Sequence, residues 1–311
     1  MAALIAVCVG SVPLSIGSIA FAALHPAGGG LAGTVFWELR LPRVCIAACV
    51  GAGLGVAGAM LQALFRNPLV DPYIGGVSAG AALAATLGIA AGASFALIPA
   101  AAFAGGLACA AVVAALGAGG GPSANLRLIL AGVALSALCS AAVTLVLLRQ
   151  GPSAELSVLS WLAGGIGGHG WSDLAWSSAY LAVGLAGAAT LVHALNALRL
   201  GESAARGLGL RVDAARWRVL GFAALITAAC VSVSGVVGFI GLMVPHGARR
   251  LVGGDAVWLL PASALGGAAV VIVADALART LAPPAEIPLG VLLALVGVPF
   301  FLVIARRPVE L

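Results

Sequence analysis

The chain contains no lysine: all 15 of its basic residues are arginine. That absence excludes the GxxxxGK[ST] phosphate loop, whose lysine reaches the phosphates of a bound nucleotide, so any ATP used is hydrolysed by another chain. Charge of either sign is scarce, 8% of 311 residues against 62% hydrophobic, and mean hydropathy is +1.18. A water-facing surface of ordinary polarity cannot be assembled from that composition, which leaves lipid as the main solvent. The arginines are dispersed between apolar runs, without the clustering and interleaved aromatics of a nucleic-acid surface. Six cysteines (Cys8, Cys45, Cys49, Cys109, Cys139 and Cys230) lie inside apolar segments with no CxxC pair. They read as small buried hydrophobes, so no metal site and no cofactor are expected. Neither a Ser/His/Asp set nor paired carboxylates are present, and no catalytic residue is expected.

What is present in quantity is apolar sequence. A helix needs about 20 apolar residues to cross the hydrocarbon core, and a connection brings the repeat to roughly 30, so about ten crossings fit. Breaks at Gly, Pro and charge predict an all-α bundle crossing near 3–24, 41–64, 76–94, 96–118, 126–148, 173–197, 217–234, 236–248, 257–279 and 289–305. The whole chain, 1–311, reads as one membrane domain. Its first apolar stretch lacks a basic leader region and runs into further spans, so it reads as a membrane helix and not a removed signal. The segment Val236 to Ala248 contains Pro245 and is expected to be short or tilted. With ten crossings, Arg66, Arg127, Arg199, Arg206, Arg211, Arg216, Arg218, Arg249, Arg250, Arg306 and Arg307 share the side holding both termini. Arg40, Arg43, Arg149 and Arg279 share the other. Eleven against four makes the first side cytoplasmic. The 44 glycines, many inside the spans, suit close helix approach where lipid supplies little hydrophobic drive.

Three breaks exceed what a passive bundle needs. Gln62 to Pro72 carries two prolines and several polar side chains, and is either a cytoplasmic turn or the lining of a pathway mouth. Residues 199–216 form the longest polar stretch inside, expected as a short helix, a Gly207/Gly209 stop and a second short helix. It is either a linker or a docking element in which Ala204 and Ala205 form a smooth knob. Outside, the four arginines either snorkel or form a basic ring that steers an acidic protein surface. A short helix with a glycine hinge, 156–168, ends in Gly164 to Gly168 and could gate the outer mouth. Asp275 and His193 lie within predicted spans and His246 follows Pro245; all three read more readily as structural than as a proton relay or metal ligand.

Seven of these runs, in order, carry a family resemblance: Arg40-Leu41-Pro42-Arg43; Gly58 to Gln62 leading to Asn67-Pro68-Leu69; Gly76 to Ala81; Leu130 to Ala134; Gly201 to Gly209; Gly238 to His246; and Glu286 to Gly290 through Gly297-Val298-Pro299-Phe300-Phe301. Together they resemble the permeases of type II ABC importers for iron-siderophores, haem and cobalamin. The resemblance implies a homodimer of ten-helix subunits in the bacterial inner membrane, two cytoplasmic ATPase subunits, and a periplasmic or lipid-anchored binding protein. It implies that Gly201, Glu202, Ala204, Ala205, Leu208 and Gly209 couple to the ATPase. Arg40, Arg43 and Arg279 would meet binding-protein carboxylates, and Asn67, Leu69, Asn125 and Leu126 would form a cytoplasmic gate. Cargo would pass through a central cavity by alternating access, with specificity held mainly by the binding protein. The rival is an ion-coupled secondary transporter, which needs coupling carboxylates inside the spans, where only Asp275 qualifies.

Overall fold

The chain is described by a computed structural model over residues 16–24, 30–117, 124–282 and 285–305. Every regular element among those residues is helical. The helices are α1 (Ile16–Leu24), α2 (Gly30–Phe65), α3 (Val77–Ala90), α4 (Ile98–Leu116), α5 (Ala124–Leu147), α6 (Pro152–Leu162) and α7 (Trp171–Thr190). There follow α8 (Val192–Arg199), α9 (Glu202–Gly207), α10 (Val212–Ser234), α11 (Ile240–Val252), α12 (Ala256–Ala278) and α13 (Leu289–Ala305). Most of the expected first crossing, 3–24, lies outside the described residues.

The organising element is α2. Every residue from Gly53 to Leu64 is buried. Glycine makes this possible: a Cβ added at Gly51 would collide with the Gly267 carbonyl of α12, and one at Gly58 with the Gly241 carbonyl of α11. Backbone thus packs directly on backbone, the arrangement that dispersion favours where lipid is as apolar as leucine. Gly53, on another face, admits the side chains of Cys230 and Leu181 against the helix backbone. A second such approach, Gly80 on Gly105, joins α3 to α4. By contrast α5 is thinly covered, with Leu126, Leu130, Val133, Leu138 and Leu145 all exposed.

Five helices, α2, α4, α5, α10 and α12, are long and apolar enough to cross a membrane, and the bent pair α7–α8 makes a sixth. At 14 and 17 residues, α3 and α13 extend about 21 and 25 Å, a little short of a 30 Å core. As expected, α11 is short, 13 residues around Pro245.

Local structure departs from expectation in four places. First, α2 starts at Gly30 and passes through a π-helical turn, Val35–Arg40. Pro42 has no amide to donate and its ring crowds the carbonyl four residues back, so the ladder widens and the Leu41 amide bonds Phe36 O instead. Second, the expected single span 173–197 bends by 57° at Leu191. The Asn196 side chain fixes the new direction, donating to Asp255 Oδ1 at 2.7 Å and accepting from the Ala256 amide at 2.8 Å. His193 therefore sits exposed on α8, beyond the bend, and not within a straight span. Third, the outer short helix is α6, Pro152–Leu162, and the glycine stretch after it is non-helical. Fourth, no separate second helix precedes the span after Gly209, because α10 runs unbroken from Val212 to Ser234.

Candidate functional site

The Gln62–Pro72 break is stitched to α11 and, through the following Tyr73, to the junction between α10 and α11. Gln62 is buried; its Nε2 donates to Gly241 O at 3.1 Å and its Oε1 accepts from Arg249 Nη2 at 3.2 Å. The Tyr73 hydroxyl donates to Val237 O at 2.5 Å and accepts from the Val237 amide at 2.9 Å. That junction needs help, since Gly235 and Phe239 both adopt positive φ and leave backbone groups without helical partners. Asn67 caps its own turn, Oδ1 accepting from the Leu69 amide at 2.9 Å. Asp71 Oδ1 accepts from the Tyr73 amide at 3.0 Å. Burial raises the Asp71 carboxyl to about 6, against the pull of the Tyr73 and Phe239 amides.

The four gate candidates divide between two elements that border one cavity. Val70 and Pro72 from the break, with Leu128 and Ile129 from α5, line an apolar space of ≈ 250 Å³ that Trp217 and Leu220 of α10 close. Asn67 is exposed and Leu69 half-buried on the break; Asn125 is half-buried and Leu126 exposed at the start of α5. Asn125 Oδ1 is buried without a hydrogen-bond partner.

The coupling candidates form a compact unit. Gly201 (φ +104°) and Gly209 (φ +81°) bracket α9 with backbone angles that other residues rarely adopt. Glu202 receives Arg206 at 3.3 Å and also pairs with buried Arg216 of α10, which reaches Asp213 at 3.2 Å with its other amino group. The unit is therefore clamped to the foot of α10. Its two alanines part company. Ala204 is exposed and so is Leu208, whereas Ala205 is fully buried in the main core. Consecutive helical residues point about 100° apart, so only one of the pair can face outward. The outward knob is Ala204 with Leu208, and Ala205 anchors α9 from beneath.

At the opposite end, three of the four outer arginines are brought together but not left open, whereas Arg149, just past α5, is exposed. Arg40 and Arg279 are buried. Arg43 of α2 donates Nε to Asp275 Oδ1 at 3.0 Å, and its Nη1 and Nη2 to the two oxygens of Glu286 at 3.1 and 2.8 Å. Asp275, four residues before Arg279 on α12, also meets Arg279 Nε at 3.2 Å. A guanidinium removed from water needs such counter-charges, so Asp275 is a structural keystone here. The forked bond from Arg43 lowers the Glu286 carboxyl below its ordinary range. Around this cluster, the Leu289 amide bonds Gly164 O at 2.9 Å and the Gly165 amide bonds Ser234 O at 2.8 Å. The glycine stretch is thereby tied to both α13 and α10.

Sequence reasoning gives no role to Gln62, Tyr73, Arg216 or Glu286, although Gln62 and Glu286 stand in the runs that carry the family resemblance and Glu286 is one of only ten acidic residues.

Comparison with known proteins decides the family. The model of the FecCD transport family matches residues 1–307. The chain belongs to the FecCD transport family. Among its relatives, the hemin transport system permease protein HmuU of Yersinia pestis is 43% identical over 286 residues, covering 89% of this chain and 84% of that protein. The cobalamin import system permease protein BtuC of Halobacterium salinarum is 40% identical, covering 86% and 72%. The Fe(3+) dicitrate transport system permease protein FecC of Escherichia coli is 38% identical, covering 96% and 91%. A solved structure described as a metal-chelate type ABC transporter in an inward-facing conformation superposes with TM-score 0.88 at 34% identity, covering 98% of this chain and 94% of that one. As a FecCD member the chain is a multi-pass ABC-transporter permease. Its features thereby acquire a common frame: a knob on α9, a cavity-lined break, and an ion-paired outer end.

Proposed function

We propose that the chain is the membrane-spanning subunit of an ATP-driven importer carrying an iron chelate, haem or cobalamin into the cytoplasm of a bacterial cell. It works as a homodimer in the inner membrane, with ten crossings and both termini cytoplasmic. Two ATPase subunits sit below it and a periplasmic or lipid-anchored binding protein above. The observation that carries this reading is α9. A six-residue helix, bracketed by two left-handed glycines and clamped by Glu202–Arg216 to a long apolar helix, is costly as a linker and apt as a lever. Ala204 and Leu208 give it a smooth outer face on which an ATPase subunit can seat.

Movement of α9 is passed to α10 through the Glu202–Arg216 pair. Because α10 also closes the cavity bordered by Pro72 and Leu128, displacing its foot changes the space between the break and α5. That is where Asn67, Leu69, Asn125 and Leu126 act as the inner gate. The exposed apolar side of α5 supports a second copy packed against it, with the central cavity between the copies. The relatives' named cargoes, hemin, cobalamin and ferric dicitrate, are all metal complexes of organic ligands. Ion coupling has lost its one intramembrane carboxylate, since Asp275 is held between Arg43 and Arg279.

Reconstitution in proteoliposomes with the ATPase and binding protein of the same source tests the reading. Uptake of a ferric chelate, haem or cobalamin that requires both ATP and the binding protein is expected. Uptake driven by an ion gradient without ATP overturns it, as does labelling of residues 202–216 by an impermeant reagent outside intact cells.

A further inference from the structure

The outer cluster holds two carboxylates in very different situations. Asp275 is 2% exposed and takes the inner edge of Arg43, where a helix on each side fixes it. Glu286 is 45% exposed and takes the outer fork of the same guanidinium through two bonds. It stands on a short non-helical segment whose own tether is the Ile287 amide on Ala278 O, 3.0 Å. A planar fork bound by a carboxylate from the solvent side is the geometry by which arginine recognises an acidic group of another protein.

We propose that Glu286 is an intramolecular stand-in for a partner's carboxylate: it occupies the outer edge of Arg43 in the free chain and gives way to an aspartate or glutamate of the docking protein. This rests on the reading above that a soluble binding protein docks on this face. Exchange is electrically neutral. One carboxylate leaves as another arrives, so Arg43 and Arg279 are never left buried with a single counter-charge, the arrangement that is costly in a low dielectric. Exchange also weakens docking, because each incoming carboxylate must displace one already bonded. A docking face that has to release its partner every cycle benefits from that weakening.

The stand-in is placed where its departure is felt. A side-chain carbon at Gly167 would lie 3.7 Å from both Arg43 Nη1 and Glu286 Oε2, so the glycine stretch roofs the pair. Three residues past Glu286, the Leu289 amide holds Gly164, and Gly165 holds Ser234 at the outer end of α10. Withdrawal of Glu286 therefore loosens the segment on which the outer gate candidate hangs. The partner's carboxylate opens the loop at the moment it docks.

The test uses the full chain with its ATPase in nanodiscs, and the binding protein that supports uptake in the reconstitution above. Glu286→Gln keeps the shape and removes the charge. It should bind the binding protein roughly three- to tenfold more tightly than wild type at about 50 mM salt, with the difference shrinking at about 500 mM. Phenylglyoxal applied to the outer face should modify Arg43 several-fold faster in Glu286→Gln, and bound binding protein should protect it in both forms. Buried Arg40 and Arg279 serve as internal controls. Equal or weaker binding by Glu286→Gln overturns the proposal, as does unchanged labelling of Arg43. If no binding protein supports uptake, the functional reading fails instead; uptake that succeeds while Glu286→Gln binds no tighter removes the stand-in alone.

Discussion

Asparagine at position 275 removes a negative charge from between two guanidinium groups while keeping the side chain's shape. In the native cluster Asp275 meets Arg43 at 3.0 Å and Arg279 at 3.2 Å, with side-chain exposures of 2%, 16% and 5% respectively. Breaking a buried pair by removing one partner costs about 3–5 kcal/mol, since the remaining charge stays desolvated. An independent figure comes from repulsion: two like charges about 5 Å apart at an effective dielectric of about 20 oppose each other by ~3 kcal/mol. Glu286 still neutralises Arg43, so Asp275→Asn should lose about 3 kcal/mol, the lower end of the range. Unfolding of the purified chain in mixed micelles measures it. The companion variant Asp275→Asn/Arg279→Gln removes the surplus charge and should recover about 1–3 kcal/mol of that loss, a coupling expected of residues in one network. A loss below about 1 kcal/mol for the single variant, or no recovery in the double, would refute the keystone role.

The alanine pair on α9 gives a contrasting prediction. Ala204→Arg should leave stability within about 0.5 kcal/mol yet reduce ATP-driven uptake at least tenfold, whereas Ala205→Arg should destabilise the chain itself, as thermal unfolding would register; wild-type uptake by Ala204→Arg would remove the docking role. Tyr73→Phe deletes the hydroxyl that serves both the carbonyl and the amide of Val237, and should cost about 1–3 kcal/mol by orphaning them. Asp71 gives a pH signature. Its carboxyl rises on folding from an ordinary 3.8 to about 6, so the fold favours the protonated form. The resulting stabilisation is complete below pH 3.8, fades as pH rises through about 6, and amounts to about 3 kcal/mol. Asp71→Asn should abolish that slope in stability measured between pH 4 and 7.

How much of this was legible beforehand depends on the range of the interaction. Apolar runs placed the helices, because crossing lipid demands length and hydropathy that a single sequence displays. The α9 unit was legible for a similarly local reason: Gly201 and Gly209 sit at each end of a short polar stretch. Pro42 could have announced the π turn, since a proline there forbids a regular ladder. The bend at Leu191 could not be foreseen, because neither proline nor glycine marks it and its direction is set by Asn196 reaching residues about 60 positions away. The Arg43–Asp275 bond spans 232 residues, and nothing in one sequence pairs those positions. Sequence reasoning therefore placed the four outer arginines on one face and read Asp275 as structural, but paired neither Asp275 nor Glu286 with Arg43 and Arg279. Ala204 and Ala205 illustrate a third limit: adjacent identical residues carry no sign of which one faces inward until the foot of α10 is in place.

The distribution of polar contacts separates what is fixed from what can move. The α2, α11 and α12 unit is joined through glycine backbones in direct contact, and such surfaces have no alternative partner to exchange with. The elements at its two ends are held differently. At the inner end α9 hangs on Glu202, and at the outer end the lead-in to α13 hangs on Glu286, each a carboxylate with part of its surface in solvent. Ionic bonds of this kind can be traded for equivalent bonds with another protein, whereas a glycine-to-carbonyl contact cannot. A chain with only 8% charged residues thus places accessible carboxylates at the two joints that a partner can reach. Between them runs α10, bonded to Glu202 at its foot through Arg216 and to the glycine stretch at its outer end through Ser234. On the proposed orientation this one helix can be biased from both of its ends, which is the physical requirement for linking a docking event at one end to an ATPase at the other.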